Sequence, residues 1–387
     1  MAVRKLAATS IVLLTLTGCI GQTADPMLKP SAALADYKQS SFQEYLDQTR
    51  DWLERNRVFI TEQHQHQQEL ELVMPFELKP DTPLKGGVLL VHGLGDSPFS
   101  YVDIAKDLVA QGYLVRTVLL PGHGSKPADL MLPDYEDWQS IVSHHTQLLA
   151  DEVGEVWLGG YSTGANLVTH EALGNDDVAG LLLFSPAFKP RSETVRFASI
   201  ASWFVDWADI DEETNMTRYD SLPINGAAVY YQTSEVVREA LQNKQYTKPV
   251  FMAVSEGDSV IDTDKVSAIF SQNFTHPKSQ LVWYGDNPPT GERVASFTMN
   301  LPQQRISNGS HMGLLFSPDN VLYGTEGSLR VCNNGQTEAQ TLDCLQGAET
   351  WFSGWGYTEA GKNHARLTWN PYYQTSIEMM HQVMNQG

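Results

Sequence analysis

The chain of 387 residues holds only three cysteines, 26 basic residues against 46 acidic ones, and no apolar run long enough to span a bilayer. Each shortage excludes something. The acidic excess gives a formal net charge of −20, which argues against nucleic acid as a partner and against electrostatic attachment to anionic lipid. So few cysteines cannot staple a small disulfide-dense scaffold. No C-x-x-C, H-E-x-x-H or paired zinc-ligand spacing occurs, so neither a metal nor a cofactor is expected. His64 and His66, and the adjacent His144 and His145, are expected as exposed helix residues and not as ligands. There is no internal repeat and no low-complexity tract. What remains, 42% hydrophobic and 19% charged residues, is the composition of a globular protein. The length suits one large α/β domain with insertions, or two small domains.

The N-terminus reads as a targeting segment. Arg4 and Lys5 precede an apolar run from Leu6 to Thr17, too short for a membrane span. It ends in Leu16-Thr17-Gly18-Cys19, which resembles the bacterial lipobox, where the cysteine is lipidated and becomes the mature N-terminus. That resemblance implies a signal peptide over 1–18, lipidation at Cys19 and a lipid-anchored protein of the bacterial cell envelope. Ile20 after the cysteine resembles the sorting rule for the outer membrane of Gram-negative bacteria. Losing Arg4 and Lys5 would take two positive charges from the net of −20 and leave −22. Residues 19–36 have the composition of a flexible tether. With Cys19 assigned, Cys332 and Cys344 remain, and an exported compartment permits a disulfide between them.

From there the chain alternates helical and strand patterns. Residues 37–82 are expected to form an N-terminal helix, reaching about Gln68, and a first strand over Glu69 to Met74. Over 83–387, strands are expected at Gly87–Val91, Tyr113–Leu120, Val156–Leu158, Val178–Phe184, Lys248–Val254 and, last, Gln280–Tyr284. The intervening helical stripes make this an α/β protein with a mostly parallel, doubly wound sheet. Residues 190–247 interrupt the rhythm with a helical, aromatic stretch (Trp203, Phe204, Trp207, Tyr230, Tyr231) expected to cap the active edge. Residues 287–308 and 316–370 read as loop-rich insertions, and Tyr372–Met384 as a closing helix.

The chemistry centres on Gly160-Tyr161-Ser162-Thr163-Gly164, between an apolar strand and a helical run. A G-x-S-x-G sequence there is the nucleophile elbow. The turn strains the serine backbone and crowds the positions two before and two after it, so only small residues fit there, here Gly160 and Gly164. It lifts the Ser162 hydroxyl above the sheet edge at the start of a helix, whose dipole favours a developing oxyanion.

The elbow, the Leu120-Pro121-Gly122-His123-Gly124 turn and the cap position together resemble the α/β-hydrolase fold. They are most similar to its monoacylglycerol lipase and carboxylesterase branch, filed under the serine aminopeptidase superfamily. The resemblance spans roughly Gly87 to Gly313 and implies a chain order of Ser, acid, His. It places Ser162 as nucleophile, Asp258 in Gly257-Asp258-Ser259-Val260 as acid, and His311 in Asn308-Gly309-Ser310-His311 as base. Asp262 and Asp264 rival Asp258 but fit a helix start; His364 and His381 rival His311. The backbone N–H groups of Leu94 and Thr163 are the implied oxyanion donors, with His92 and His123 as structural supports.

These residues imply an esterase or lipase working through an acyl-serine on a small-molecule ester, such as a monoacylglycerol or lysophospholipid. Two other functions stay open: an aminopeptidase or amidase using the same groups, or a non-catalytic envelope binding protein. Asp206, Asp209, Asp211, Glu212 and Glu213 could supply an acidic grip on a free amine for the former.

Overall fold

Successive side chains of a strand face opposite sides of a sheet, and the strand Gly86–Val91 is apolar on both. Val88 and Leu90 enter one hydrophobic cluster, while Leu89 and Val91 enter another. Such a strand needs helices on both faces, and the structure supplies them. It is a computed structural model and describes residues 25–385. The expected signal peptide and Cys19 lie outside the described residues.

The central sheet has eight strands: β1 (Glu77–Leu78), β2 (Gly86–Val91), β3 (Tyr113–Val118), β4 (Val156–Tyr161), β5 (Val178–Phe184), β6 (Val250–Ser255), β7 (Gln280–Tyr284) and β8 (Val294–Phe297). Their spatial order is β1-β3-β2-β4-β5-β6-β7-β8, with only β1 antiparallel to its neighbour. This mostly parallel, doubly wound arrangement is the α/β-hydrolase fold. Parallel strands share one carboxyl edge, where open α/β sheets bind their ligands. The loops after β2, β4, β6 and β8 all leave from that edge.

The structure departs from the sequence pattern at both ends of the sheet. The first strand is not Glu69–Met74, because that stretch belongs to the helix His66–Val73. Alternation over six residues also fits a helical period, and here Leu70 and Val73 are buried at a spacing of three. Nor is the N-terminal helix continuous. It runs from Phe42 to Asn56, with the Ser41 hydroxyl accepting from the Glu44 N–H at 3.2 Å, and stops where Arg57 turns extended. Arg57 turns inward to Glu69, which is fully buried, at 2.7 Å; Glu69 also accepts from the backbone and hydroxyl of Thr61 at 3.0 and 2.7 Å. At the other end, β7 is not last: β8, inside the 287–308 insertion, adds a parallel edge strand. The expected tether is seated on the body from residue 25 on, with the Ser31 N–H and hydroxyl both bonded to the buried Asp129 at 2.6 and 2.9 Å. His145 is not exposed but fully buried, its ring 4.4 Å from that of Tyr45. His144 Nε2 donates to the Gln39 carbonyl at 2.7 Å.

The cap contributes a long helix, Ile224–Asn243, packed against the helix that follows Ser162 (Thr163–Gly174). Asn166 on the latter donates to Ala187 O and Thr233 Oγ1 at 2.9 and 3.0 Å, which pins the two helices together. The 316–370 insertion carries a short helix, Glu338–Leu345, and a parallel pair of strands, Thr350–Ser353 and Asn363–Arg366. A disulfide joins Cys332 to Cys344 with their Cα atoms 5.8 Å apart. The closing helix is Tyr373–Met384.

Glu69→Ala should destabilise the protein by about 3–5 kcal/mol in chemical denaturation, since it strands a buried Arg57 that also holds Met216 O of the cap. A loss below about 1 kcal/mol would show that the pair contributes nothing to holding the N-terminal segment in place.

Candidate active site

At the elbow the backbone of Ser162 sits at φ 54, ψ −116, where only a few non-glycine residues are tolerated. A Cβ added to Gly160 would lie 2.4 Å from Ala165 Cα, and one added to Gly164 would lie 2.0 Å from Val91 O. Neither position has room for any side chain. The turn is closed by Ser162 N–H donating to Phe184 O at 3.0 Å and Ala165 N–H donating to Ser162 O at 3.1 Å.

The structure brings Ser162, His311 and Asp258 together although 149 residues separate the first two. His311 Nε2 lies 2.9 Å from Ser162 Oγ, and His311 Nδ1 lies 2.5 Å from Asp258 Oδ2. A carboxylate only accepts, so Nδ1 carries the proton and leaves Nε2 free to accept from the hydroxyl. Asp258 is wholly buried, and its other oxygen accepts the Val260 and Ile261 N–H groups at 2.8 and 3.1 Å. The carboxylate therefore has one orientation, aimed at the imidazole. Asp262 instead caps the helix Thr263–Asn273 through the Lys265 N–H at 3.0 Å, and Asp264 lies in its first turn. His364 pairs with Ser307 and Glu359, and His381 lies on the closing helix; neither reaches Ser162.

Three backbones meet behind His311. A Cβ on Gly257 would sit 2.5 Å from Gly309 O, and one on Gly354 would sit 2.5 Å from Gly257 O and 2.8 Å from Gly309 O. The acid loop, the base loop and the C-terminal insertion thus touch through glycines. Asn308 Oδ1 accepts the Gly354 N–H at 2.7 Å, and Ser185 Oγ donates to His311 O at 2.8 Å.

Leu94 and Thr163 face the same cavity as Ser162. Among the described residues neither backbone N–H donates to a protein acceptor; Thr163 is the first helical residue, so its N–H has no partner within the helix. Two buried histidines support the Leu94 loop. His92 Nε2 accepts the Leu120 N–H at 3.0 Å while its Nδ1 lies 2.8 Å from Gly93 O. His123 Nε2 accepts the Gly95 N–H at 3.0 Å. Both must be neutral to accept, and burial pushes His92 well below the ordinary histidine range and His123 down to about 4.

The cavity over Ser162 has a volume of about 190 Å³, larger than the roughly 150 Å³ that takes a benzene ring. Leu94, Tyr230, Val260 and Met312 give it apolar wall, and Asp96, Tyr161, Arg218 and Arg366 give it charge and hydrogen-bonding capacity. Sequence patterns did not single out these four. Asp96 and Tyr161 adjoin recognised motifs, but Arg218 arrives from the cap and Arg366 from the insertion, so no local spacing marks either. Of the five cap aromatics named from the sequence, Tyr230 alone lines the cavity, while Trp203 and Phe204 are 84% and 81% exposed. The acidic cap residues do not reach it either; Glu213 instead accepts the Asp220 and Ser221 N–H groups at 2.9 and 2.7 Å.

A strained serine between a strand and a helix, with its base and acid delivered by later loops on the same sheet edge, defines the protein as an α/β-hydrolase. Parts of the chain resemble known proteins. Residues 82–221 match the family described as serine aminopeptidase, S33. The chain is similar to a thermostable monoacylglycerol lipase of Bacillus sp. (strain H-257), 30% identical over 101 residues, which is 26% of this chain and 40% of the lipase. It is also similar to a carboxylesterase of Bacillus subtilis (strain 168), 24% identical over 220 residues, covering 54% of this chain and 87% of the esterase. Among solved structures, the metagenome-derived lipolytic enzymes LipS and LipT give a TM-score of 0.48 at 21% identity over 55% of this chain and 87% of theirs. The monoacylglycerol lipase of Paleococcus ferrophilus gives 0.44 at 19% identity over 58% and 89%. The chain thus has the α/β-hydrolase fold, is similar over part of its length to a monoacylglycerol lipase and a carboxylesterase, and spans less than half the length of the first of these.

The buried histidines carry a pH signature. An unfolded His123 takes up its proton near pH 6.5 and the folded one only near 4, so the folded state loses stability as pH falls through that window. The loss from this group is on the order of 3 kcal/mol. In His123→Asn the fall in unfolding free energy between pH 6.5 and 4 should be shallower by that order; an unchanged slope would mean the ring is not held neutral.

Proposed function

We propose that this protein hydrolyses carboxylic esters in two steps through an acyl group on Ser162. The observation that carries the proposal is the hydrogen-bonded line from Ser162 Oγ through His311 to Asp258, with two unengaged N–H groups facing the same cavity. Ser162 Oγ attacks the ester carbonyl while His311 Nε2 takes its proton. The carbonyl oxygen, now negative, is stabilised by the Leu94 and Thr163 N–H groups. The C–O bond to the alcohol breaks, and His311 returns the proton to the leaving oxygen. Water then gives a proton to His311 and its oxygen to the acyl carbon, which releases the carboxylic acid and restores the serine. Asp258 holds the imidazole tautomer and steadies its positive charge.

The apolar wall suits a short to medium acyl group, and the names of the Bacillus relatives, a monoacylglycerol lipase and a carboxylesterase, support an ester of that kind. The family description keeps aminopeptidase chemistry as a second possibility. Two guanidinium groups in the cavity oppose it, because a free substrate amine would enter beside like charge. We also propose that the protein is lipidated at Cys19 and held at the bacterial cell envelope, at the outer membrane in a Gram-negative host. The lipobox-like sequence supports this, and a disulfide suits an oxidising compartment. Cys19→Ala should move the protein from the membrane to the soluble fraction and abolish metabolic labelling with palmitate.

A fluorophosphonate should label wild type at Ser162, and Ser162→Ala should lower kcat on para-nitrophenyl butyrate by roughly 10⁴-fold or more. Folded wild-type protein that neither labels nor turns over esters would shift the assignment to a binding protein. Faster cleavage of aminoacyl amides than of esters would shift it to an aminopeptidase.

A further inference from the structure

Arg218 and Arg366 line the cavity that holds Ser162, and among the described residues neither is within ion-pair distance of a carboxylate. Arg218 Nη1 lies 3.8 Å from Met312 Sδ, a weak acceptor, and Asp96 and Asp220 act on it only at longer range. Arg366 Nε donates to Asn334 Oδ1 at 2.7 Å and Nη2 to Asn333 O at 3.2 Å, both uncharged. The chain has 46 acidic residues to 26 basic ones, so opposite charge was plentiful elsewhere. Neutral acceptors orient a guanidinium without neutralising it. Burial and the neighbouring Arg218 push Arg366 down to about 9, so it is still charged at neutral pH. Partly desolvated guanidinium groups left unpaired are costly, and their forked geometry matches carboxylate and phosphate.

We infer that Arg218 and Arg366 form an anion subsite, and that the ester this protein hydrolyses carries a carboxylate or phosphate group within reach of them. This rests on the ester-hydrolase function proposed above and narrows its substrate class. Asp96 contributes one opposing charge; burial raises it to about 6, so by neutral pH it is mostly ionised, and the cavity still holds two positive charges against one. The Tyr161 phenol, held neutral by burial, adds a donor to the same cavity.

The inference also gives the C-terminal insertion a task. Arg366 ends the strand Asn363–Arg366, its N–H donates to Val331 O at 2.9 Å, and the residues that hold its side chain, Asn333 and Asn334, follow directly on Cys332. Asn334 is itself fully buried and donates to Ser353 Oγ at 3.1 Å. The disulfide to Cys344 therefore anchors the support of Arg366, and Asn334 acts as a positioning residue.

The test compares matched esters on wild-type protein at about 0.15 M salt, where the outer acidic charge is screened beyond about 8 Å. One arm places the anion on the acyl group, para-nitrophenyl hydrogen glutarate against para-nitrophenyl valerate. The other places it on the alcohol, monobutyrylglycerol phosphate against monobutyrylglycerol. In at least one arm kcat/KM should favour the anionic ester about tenfold or more, and the arm identifies which side of the ester meets the arginines. Arg218→Met, Arg366→Met and, to a smaller extent, Asn334→Ala should lower that ratio, chiefly through KM of the anionic ester. No preference in either arm, or a preference that survives both arginine substitutions, overturns the inference. The wild-type ratio needs no variant, so misfolding cannot hide the result. Calorimetric titration of Ser162→Ala with glutarate and glycerol phosphate separates the two proposals. Binding without any turnover by wild type keeps the subsite and sinks the hydrolase, whereas turnover of neutral esters without binding or preference does the opposite.

Discussion

The tightest constraint in this molecule is the absence of space on both sides of Ser162. The helix after the nucleophile starts at Thr163, directly beyond the end of β4, so Gly160 and Ala165 face one another at contact distance. On the other side Gly164 presses against the carbonyls of Val91 and His92, the last residue of β2 and the first of its loop. The second contact couples two parts of the site. The same stretch of chain that leaves no room at Gly164 continues into Gly93 and Leu94, and a Cβ on Gly93 would lie 3.1 Å from that of Ser162. Ser162 and the Leu94 loop are therefore set by one close approach of two backbones, and the neutral His92 and His123 hold the loop there.

The remaining groups depend on a second close approach, between Gly257, Gly309 and Gly354. The parallel sheet delivers Asp258 and His311 to one edge, but β8 and the lengthened loop after it could place His311 in many ways. Contact with the insertion removes that freedom: Asn308 receives the Gly354 N–H, and the hydroxyl of Ser310 donates to Leu367 O. The insertion thus has two attachments to the site, one behind the imidazole and one through Arg366. The sheet brings Ser162 and Asp258 to one edge, and the added segment packs behind His311 and carries Arg366 into the cavity.

Sequence made the elbow, most of the strands and the Ser, Asp and His loops legible because each is local: a few residues of restricted size at the end of an apolar strand. It failed where two periods fit the same letters, as in Glu69 to Met74, whose alternation masked a helix that buries a charged Glu69 against Arg57. It also missed β8, a half-exposed edge strand without a continuous apolar run. The cap misled in a different way. Its aromatic content marked it as a cover over the active edge, yet Trp203 and Phe204 face solvent and the cavity receives Arg218. Composition reports what a segment contains and not which side it turns inward. His145 shows the converse, since a polar letter on a helix stripe proved to be core.

The charge of the cavity runs against the charge of the protein, and distance decides which matters. A formal net charge of −20 repels anions in dilute salt, but at about 0.15 M the screening length is only about 8 Å. Surface carboxylates farther than that from Ser162 hardly act on a bound group, whereas Arg218 and Arg366 line the cavity itself and are shielded from ions by its walls. Salt therefore weakens the outer repulsion more than the inner attraction. An anionic ester would enter this site more readily at moderate ionic strength than in dilute buffer, while a neutral ester would respond to neither field. The order of the two length scales reconciles an acidic protein with a positively charged pocket.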